Sequence, residues 1–310
     1  MSFSLEVKED ILSHTFEKRQ VVAFLNAFIK YNATFSITNK GLTIQMSSTS
    51  NKVIRAVYEH LKVIFQGDID IRIIQSQKLK KHKVYELILS GEIQNFLIEQ
   101  NMYDFEGAKK IIEIPKEWIK TEEIHRSYIA GLFVSCGSVN SPTTTNYHLE
   151  LQFNEIESAQ YVMKILKGFP FKLITRKNKF VIYMKRSTLI SDFLRYIDST
   201  KSMLKYETTR IDRDFQNSLN RTINLDVSNQ KKTTKAAEQQ IGWINDLTKS
   251  KKRLELSKKI QALCKIRLEN PESSYSELEY LMRIEGIDIT KAGISNLFKI
   301  IQREVKEIEN

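Results

Sequence analysis

Tyr128 to Val139 reads YIAGLFVSCGSV. Small and large apolar residues recur here at helical spacing, and the run then passes through Ser135, Cys136 and Gly137 where a charged end would mark a solvated helix terminus. An earlier stretch, LNAFIKYNATF from Leu25 to Phe35, has the same design: an apolar helix, a small residue, then directly a strand-like segment. Aligning the two sets Asn32 opposite Cys136 and Ala33 opposite Gly137. The surroundings of the two stretches decide whether they are copies.

Around the first, Phe16–Tyr31 carries apolar residues three to four apart and predicts a helix. Two strand-like runs follow about the turn Thr38–Gly41 (TNKG), whose Asn and Gly suit a hairpin. A helix over Lys52–Phe65, two strands in DIDIRII (68–74) and KVYELIL (83–89), and a helix in EIQNFLIEQN (92–101) complete the order α-β-β-α-β-β-α. The order recurs after Glu122: a helix through Ser135, strands near Ser138 and at YHLELQF (147–153), a helix over Glu155–Lys167, strands in FKLIT (171–175) and KFVIYMK (179–185), and the helix STLISDFLRYI (187–197). This predicts an N-terminal segment, 1–15, and a duplicated domain, 16–200, with repeats about 16–101 and 122–197.

IAGLFVSCGSV, in a tandem α-β-β-α-β-β-α pair, resembles the LAGLIDADG signature. The resemblance implies two half-domains whose signature helices pack together beneath a saddle of strands, with Ala130 and Gly131 on one helix and Ala27 and Ala33 on the other permitting close backbone approach. Active members end each signature helix with an acid, so that two carboxylates converge on divalent ions. Here those positions are Asn32 and Cys136, vestigial and inactive, and the preceding acid of the signature is replaced by Lys30 in one copy and Val134 in the other. No catalytic residue, metal or cofactor is therefore expected. Cys136 is expected to fill the seam, and Asn32 to cap its helix in the left-handed conformation.

The 310 residues carry 48 Lys and Arg against 37 Asp and Glu, a net charge of +11, which favours a polyanionic partner. The excess is uneven. Lys201–Lys259 holds fourteen basic against seven acidic residues, whereas Ile260–Asn310 holds seven against nine. Two distant cysteines and five histidines form no metal-ligand spacing, no apolar run reaches a membrane span, and the N-terminus lacks signal-peptide character. A cytoplasmic, nucleoid-associated protein is expected.

Within a basic linker, 201–229, and the start of a helical C-terminal domain, 230–310, lie Arg213, Asn217, Asn220, Arg221, Asn224, Lys231 and Lys232, residue types that meet phosphates and base edges. Helices are predicted over Gln230–Leu247 and Leu254–Leu268. Ser274 and Glu277 then have capping-box spacing, Leu278, Leu281 and Met282 continue a helix, and Gly286 ends it. Thr290 can cap a further helix with apolar Ile294, Leu297, Phe298, Ile301, Val305 and Ile308. Its free face would carry Lys291, Ser295, Lys299 and Gln302, flanked by Asn296 and Arg303. This pattern predicts a helix-turn-helix at about 274–308, and no acid occurs from Thr290 to Arg303. The expected architecture is α+β, a tandem αββαββα pseudo-dimer joined to an all-α helix-turn-helix domain.

Together with the degenerate pair, the pattern RxxxNxxNRxxNxxxxNxxK from Arg213 to Lys232, AAEQQI (236–241), RLENPESSYSEL (267–278) and ITKAGISNLFKI (289–300) resemble the WhiA family of bacterial regulators over essentially the whole chain. The resemblance implies sequence-specific binding to DNA, chiefly through the C-terminal helix-turn-helix, and no nuclease activity; on the helical pattern, Thr290, Lys291, Ser295, Asn296, Lys299 and Arg303 are the residues expected to meet double-stranded promoter DNA. It also implies a role in transcription linked to cell division and chromosome segregation, with control of sporulation in some relatives. The duplicated domain would contact DNA or dock a protein partner. The internal duplication needs no second chain, so a monomer is expected. The alternatives are a nonspecific nucleic-acid-binding or protein-interaction module and a metal-dependent endonuclease.

Overall fold

The computed structural model describes residues 2–38, 41–75, 83–144, 146–250 and 256–309. The chain divides into two compact units, Met1–Arg213 and Asp214–Asn310.

The first unit has the expected duplication. Helix α2 (Lys18–Asn32) leads into β1 (Thr34–Thr38) and β2 (Gly41–Ser48), then α3 (Asn51–Ile64), β3 (Asp68–Gln75), β4 (Lys83–Ser90) and α4 (Ile93–Glu99). The second copy runs α5 (Glu122–Cys136), β7 (Gly137–Val139), β8 (Leu149–Phe153), α6 (Ile156–Ile165), β9 (Lys172–Arg176), β10 (Lys179–Met184) and α7 (Ser187–Tyr196). Between the copies lie a short ribbon of β5 (Tyr103–Asp104) and β6 (Lys109–Lys110) and a 3-10 turn over Lys116–Ile119. The two antiparallel sheets share one order, β1-β2-β4-β3 and β7-β8-β10-β9. Central residues of the N-terminal turn, Asn39 and Lys40, lie outside the described residues.

Alternation along the strands sets which face is buried. Ile44 and Met46 on β2 and Leu87 and Leu89 on β4 are buried, as are Leu149, Leu151 and Phe153 on β8. Beneath them α2 and α5 lie against each other along their small residues. A Cβ on Gly131 would come within 2.1 Å of the Phe24 carbonyl oxygen, so only glycine permits this backbone contact. Ala27 and Ala130 are buried beside it.

The N-terminal segment, expected only as a segment before the first repeat, forms helix α1 (Phe3–Ile11). Its Phe3, Val7 and Ile11 follow i, i+4, i+8 and enter the same core. Asp10, also buried, accepts from the Ser202 amide at 2.8 Å and the Ser199 hydroxyl at 3.1 Å. It thus caps the first turn of α8 (Thr200–Lys249) from a distant part of the sequence.

Helix α8 includes all of Lys201–Asn229, the stretch expected as a linker, together with the helix expected from Gln230, and the division between units falls within it. Beyond it come α9 (Lys258–Glu269), α10 (Tyr275–Ile284) and α11 (Lys291–Glu309). The expected start of α9 at Leu254 lies outside the described residues. Ile244, Leu247, Leu263, Leu278, Ile294 and Phe298 are among the buried residues of this second core.

Candidate nucleic-acid interface

The turn between α10 and α11 is built as the sequence predicts. Ser274 and Glu277 cap each other's backbone at the start of α10, the Ser274 amide donating to Glu277 Oε2 at 2.6 Å and the Glu277 amide to Ser274 Oγ at 3.3 Å. Gly286 takes φ +77°, the left-handed conformation that ends the helix. Thr290 Oγ1 accepts from the Gly293 amide at 3.2 Å, so this candidate contact residue is also a helix cap.

Along α11, Ile294, Phe298, Ile301 and Val305 are buried and Leu297 half-buried, while the side chain of Ile308 lies outside the described residues. The buried row fixes the free one. Lys291, Ser295 and Lys299 recur every four residues, with Asn296 and Arg303 to one side, so α11 brings five of the six candidates onto one face. Lys291, Asn296, Lys299 and Arg303 are exposed, Ser295 is half-buried, and none of the four has an ion pair or side-chain hydrogen bond among the described residues. Arg283, just before the turn, is instead paired with Glu279 at 3.5 Å and Asp288 at 3.8 Å. Positive charge at the turn is thus neutralised within the fold, and among the described residues that on the free face of α11 is not.

An internal clamp holds α11 in place. The Phe298 ring stacks on Tyr275 with centroids 6.0 Å apart, and the Tyr275 hydroxyl accepts from Gln240 at 2.9 Å. Arg267, buried and over Phe298 at 5.7 Å, donates to the Ser273 carbonyl at 2.6 Å. Burial lowers its pKa, against a raising influence from Tyr275.

On α8, at 3.6 residues per turn, the seven candidates Arg213, Asn217, Asn220, Arg221, Asn224, Lys231 and Lys232 fall within an arc of about 120°. All are exposed except Arg213. Arg213 belongs to the first unit, where its guanidinium lies over Tyr147 at 4.6 Å and donates to the carbonyls of Pro142, at 3.2 Å, and Thr144. Its hydrogen-bonding capacity serves the loop before β8. The opposite side of α8 exposes Phe215, Leu219 and Ile223, at 61%, 41% and 55%. Their i, i+4, i+8 spacing is plain in the sequence, yet reading the segment for polar residues passed over it.

The ends of the two signature helices meet a different chemistry. Asn32 is helical rather than left-handed. Its Oδ1 accepts from the Ser47 amide at 2.9 Å and its Nδ2 donates to the Ser47 carbonyl at 3.2 Å. Pairing with a strand backbone, rather than capping, therefore determines its geometry, and α2 passes through extended Ala33 into β1. Cys136, half-buried, donates to the Leu132 carbonyl at 3.3 Å, and burial pushes its thiol up to about 11. The Lys8 amine, on α1, is close enough for each to shift the other electrostatically. Lys30 is 4% exposed and donates to the carbonyls of Ile112 and Glu113, both at 3.4 Å. A divalent ion needs charged oxygen ligands. An amide already paired, a protonated thiol and a neighbouring amine do not fit one.

No helix among the described residues is long and apolar enough to cross a membrane. Three family descriptions match successive parts of the chain: a WhiA N-terminal LAGLIDADG-like domain over residues 18–103, a WhiA LAGLIDADG-like domain over 125–216, and a WhiA C-terminal HTH domain over 219–304. Similar relatives include a protein named "Probable cell division protein WhiA" from Enterococcus faecalis, 31% identical over 99% of this chain and 98% of its own length. Another of that name, from Oceanobacillus iheyensis, is 30% identical over 100% of this chain and 98% of its own. Full-length WhiA from Thermatoga maritima shares the fold, with a TM-score of 0.59 at 22% identity over 99% of both chains. The three matches cover successive parts of the chain, and relatives at 30–31% identity align with it over nearly their whole length, so the chain belongs to the WhiA family.

Proposed function

We propose that this protein is a sequence-specific DNA-binding transcriptional regulator in which α11 reads the major groove. The observation that carries the reading is the free face of α11. Lys291, Asn296, Lys299 and Arg303 are exposed and without side-chain partners among the described residues, on a stretch that contains no acid from Thr290 to Arg303. Unpaired cations meet backbone phosphates, and an amide such as that of Asn296 can bond a base edge. The positive end of the α11 dipole adds to the attraction for phosphate at Thr290 and Lys291. Asn217, Asn220, Arg221, Asn224, Lys231 and Lys232 supply a second polar and basic surface for backbone contacts.

The names of the relatives support a role in cell division, and the family resemblance extends this to chromosome segregation and, in some relatives, sporulation. On this reading the protein acts at promoters in the cytoplasm, associated with the nucleoid, as a monomer and without nuclease activity. Asn32 and Cys136 supply no carboxylate for cleavage. Asn296→Ala should lower discrimination between target and competitor duplexes by about 1–3 kcal/mol in a competition gel shift. Full discrimination in that variant would refute the role of Asn296.

A second reading, a protein-interaction module, draws on exposed Phe215, Leu219 and Ile223. Under it, Phe215→Ser would abolish the cellular phenotype while leaving DNA affinity intact.

A further inference from the structure

The ends of α2 and α5 open onto a cavity of about 310 Å³ that also receives α1 and the end of β2. This lies at the small end of the range for ligand sites. Its polar lining comes from Lys8, Asn32, Ser47, Ser48, Thr49 and Ser135, over a floor of Phe28 and Val134. None of the lining residues is acidic.

Lys8 sets the character of the site. It is half-buried, and among the described residues its ammonium has no ion pair and no hydrogen bond. Its neighbour Glu9, which could have neutralised it, bonds Lys52 at 3.0 Å and Ser50 at 2.7 Å instead. An enclosed ammonium without a counter-charge carries a desolvation cost that an anion relieves. Burial lowers the Lys8 pKa, with Cys136 opposing the shift, which is the electrostatic sign of that cost. The surrounding groups are hydroxyls, which can donate to an oxyanion and keep accepting elsewhere. Ser135 already donates to Leu132 at 2.7 Å, and Ser48 accepts from the Ser50 amide at 3.1 Å, while the Ser47 and Thr49 hydroxyls have no bond among the described residues, and Thr49 stands on the cavity rim.

We propose that this cavity is a binding site for a phosphate-type oxyanion, held by the Lys8 ammonium and the Thr49 hydroxyl at the meeting point of the two repeats. Its donors suit either a free phosphate or a phosphodiester of nucleic acid. The site lies wholly in the first unit and does not depend on the reading of α11.

The test uses the purified full chain and follows acetylation of Lys8 by acetic anhydride, read by peptide mass spectrometry. One arm adds inorganic phosphate, one a random-sequence 20-base-pair duplex, and one sodium chloride at matched ionic strength. Phosphate or duplex should slow Lys8 acetylation several-fold relative to chloride, with exposed Lys52 as the internal reference. Protection by phosphate identifies a free anion as sufficient, and protection by duplex alone identifies a phosphodiester. Equal acetylation in all three arms overturns the proposal. In parallel, Lys8→Met, which keeps the methylene stem, should lose any rise in melting temperature that phosphate gives the wild type. Thr49→Val, on the exposed rim, should reduce it. A full phosphate response in Lys8→Met would also overturn the proposal.

Discussion

Gly131→Ala tests the central contact of the fold. The added methyl would lie 2.1 Å from the Phe24 carbonyl oxygen, 2.9 Å from its carbon and 3.0 Å from its Cα, all backbone atoms of α2. No rotamer change relieves a backbone contact, so α2 and α5 must part by about 1 Å merely to bring the nearest pair out of overlap. A gap of that size forfeits a quarter to a half of each contact along the seam. Overpacking costs about 1–3 kcal/mol where neighbours can adjust, and here the upper end applies. The gain in helix propensity from Gly to Ala offsets about 0.5–1 kcal/mol. A net loss of roughly 2–2.5 kcal/mol in a unit of this size lowers the melting temperature by about 4–10 °C.

Tryptophan fluorescence can isolate the effect. Trp118 lies in the first unit and Trp243 in the second, so thermal melts in a Trp243→Phe background report the seam alone. Gly168→Ala serves as the control, because a Cβ there meets no atom within 4 Å. It should melt close to its parent. If Gly131→Ala melted within a degree of its parent as well, close backbone approach would not be what the glycine is for.

Lys30→Met should change stability in a pH-dependent way. Burial, with a smaller repulsion from Lys110, lowers the Lys30 pKa to about 7 in the folded chain against 10.5 unfolded, so wild-type stability should rise as pH climbs from about 7 to 10.5, by an amount on the order of 3–5 kcal/mol. Urea midpoints should therefore favour the variant most at pH 7 and below and lose that advantage towards pH 10; a pH-independent difference would show that the amine is not titrating. Asp10→Ala removes the acceptor for the Ser202 amide and Ser199 hydroxyl, and should cost about 2 kcal/mol, seen as a lower Trp118 melting temperature and faster exchange of the Ser202 amide. Lys231→Ala should weaken binding to all duplexes alike and reduce the slope of log affinity against log salt by about 1. An unchanged slope would remove Lys231 from the phosphate contacts.

The duplication was legible because each repeat announces itself locally: alternation in KVYELIL fixes a strand, and small residues before a strand fix the end of each signature helix. The helix-turn-helix was legible for the same reason, since the capping box at Ser274 and the glycine at 286 act within a few residues of where they stand. Lys201–Asn229 reads as a basic linker rather than as part of one continuous α8 because Asn, Thr, Ser and Asp crowd it and have modest helix propensity. The absence of Gly and Pro between Thr200 and Ile241 was the signal to weigh against that. Helix α1 was missed although Phe3, Val7 and Ile11 keep helical spacing, because a nine-residue segment has little periodicity to show. Its tie to α8 through Asp10 spans about 190 positions of sequence and leaves no local pattern. For the same reason, nothing in the chain around Arg213 tells that its guanidinium packs on Tyr147, and nothing around Lys8 tells that it reaches the seam.

The positions that align with the acids of the signature have structural roles here, one by one. Lys30 fastens α2 to the segment between the repeats through Ile112 and Glu113. Asn32 continues the backbone pairing of β2 with its own amide. Val134 is buried, and Cys136 keeps its proton because its surroundings hold the pKa at about 11. Each of these roles requires a neutral or hydrogen-bonded group, and a carboxylate at Asn32 would lose the donor that bonds the Ser47 carbonyl. Reverting Asn32 to Asp would therefore weaken the junction of α2 and β2 before it assembled any metal site. Among the described residues, cations without such a use recur instead at Arg221, Lys231 and Lys232 on α8 and at Lys291, Lys299 and Arg303 on α11. Substitutions at the seam and substitutions on α11 should accordingly separate, the first altering stability and the second altering recognition.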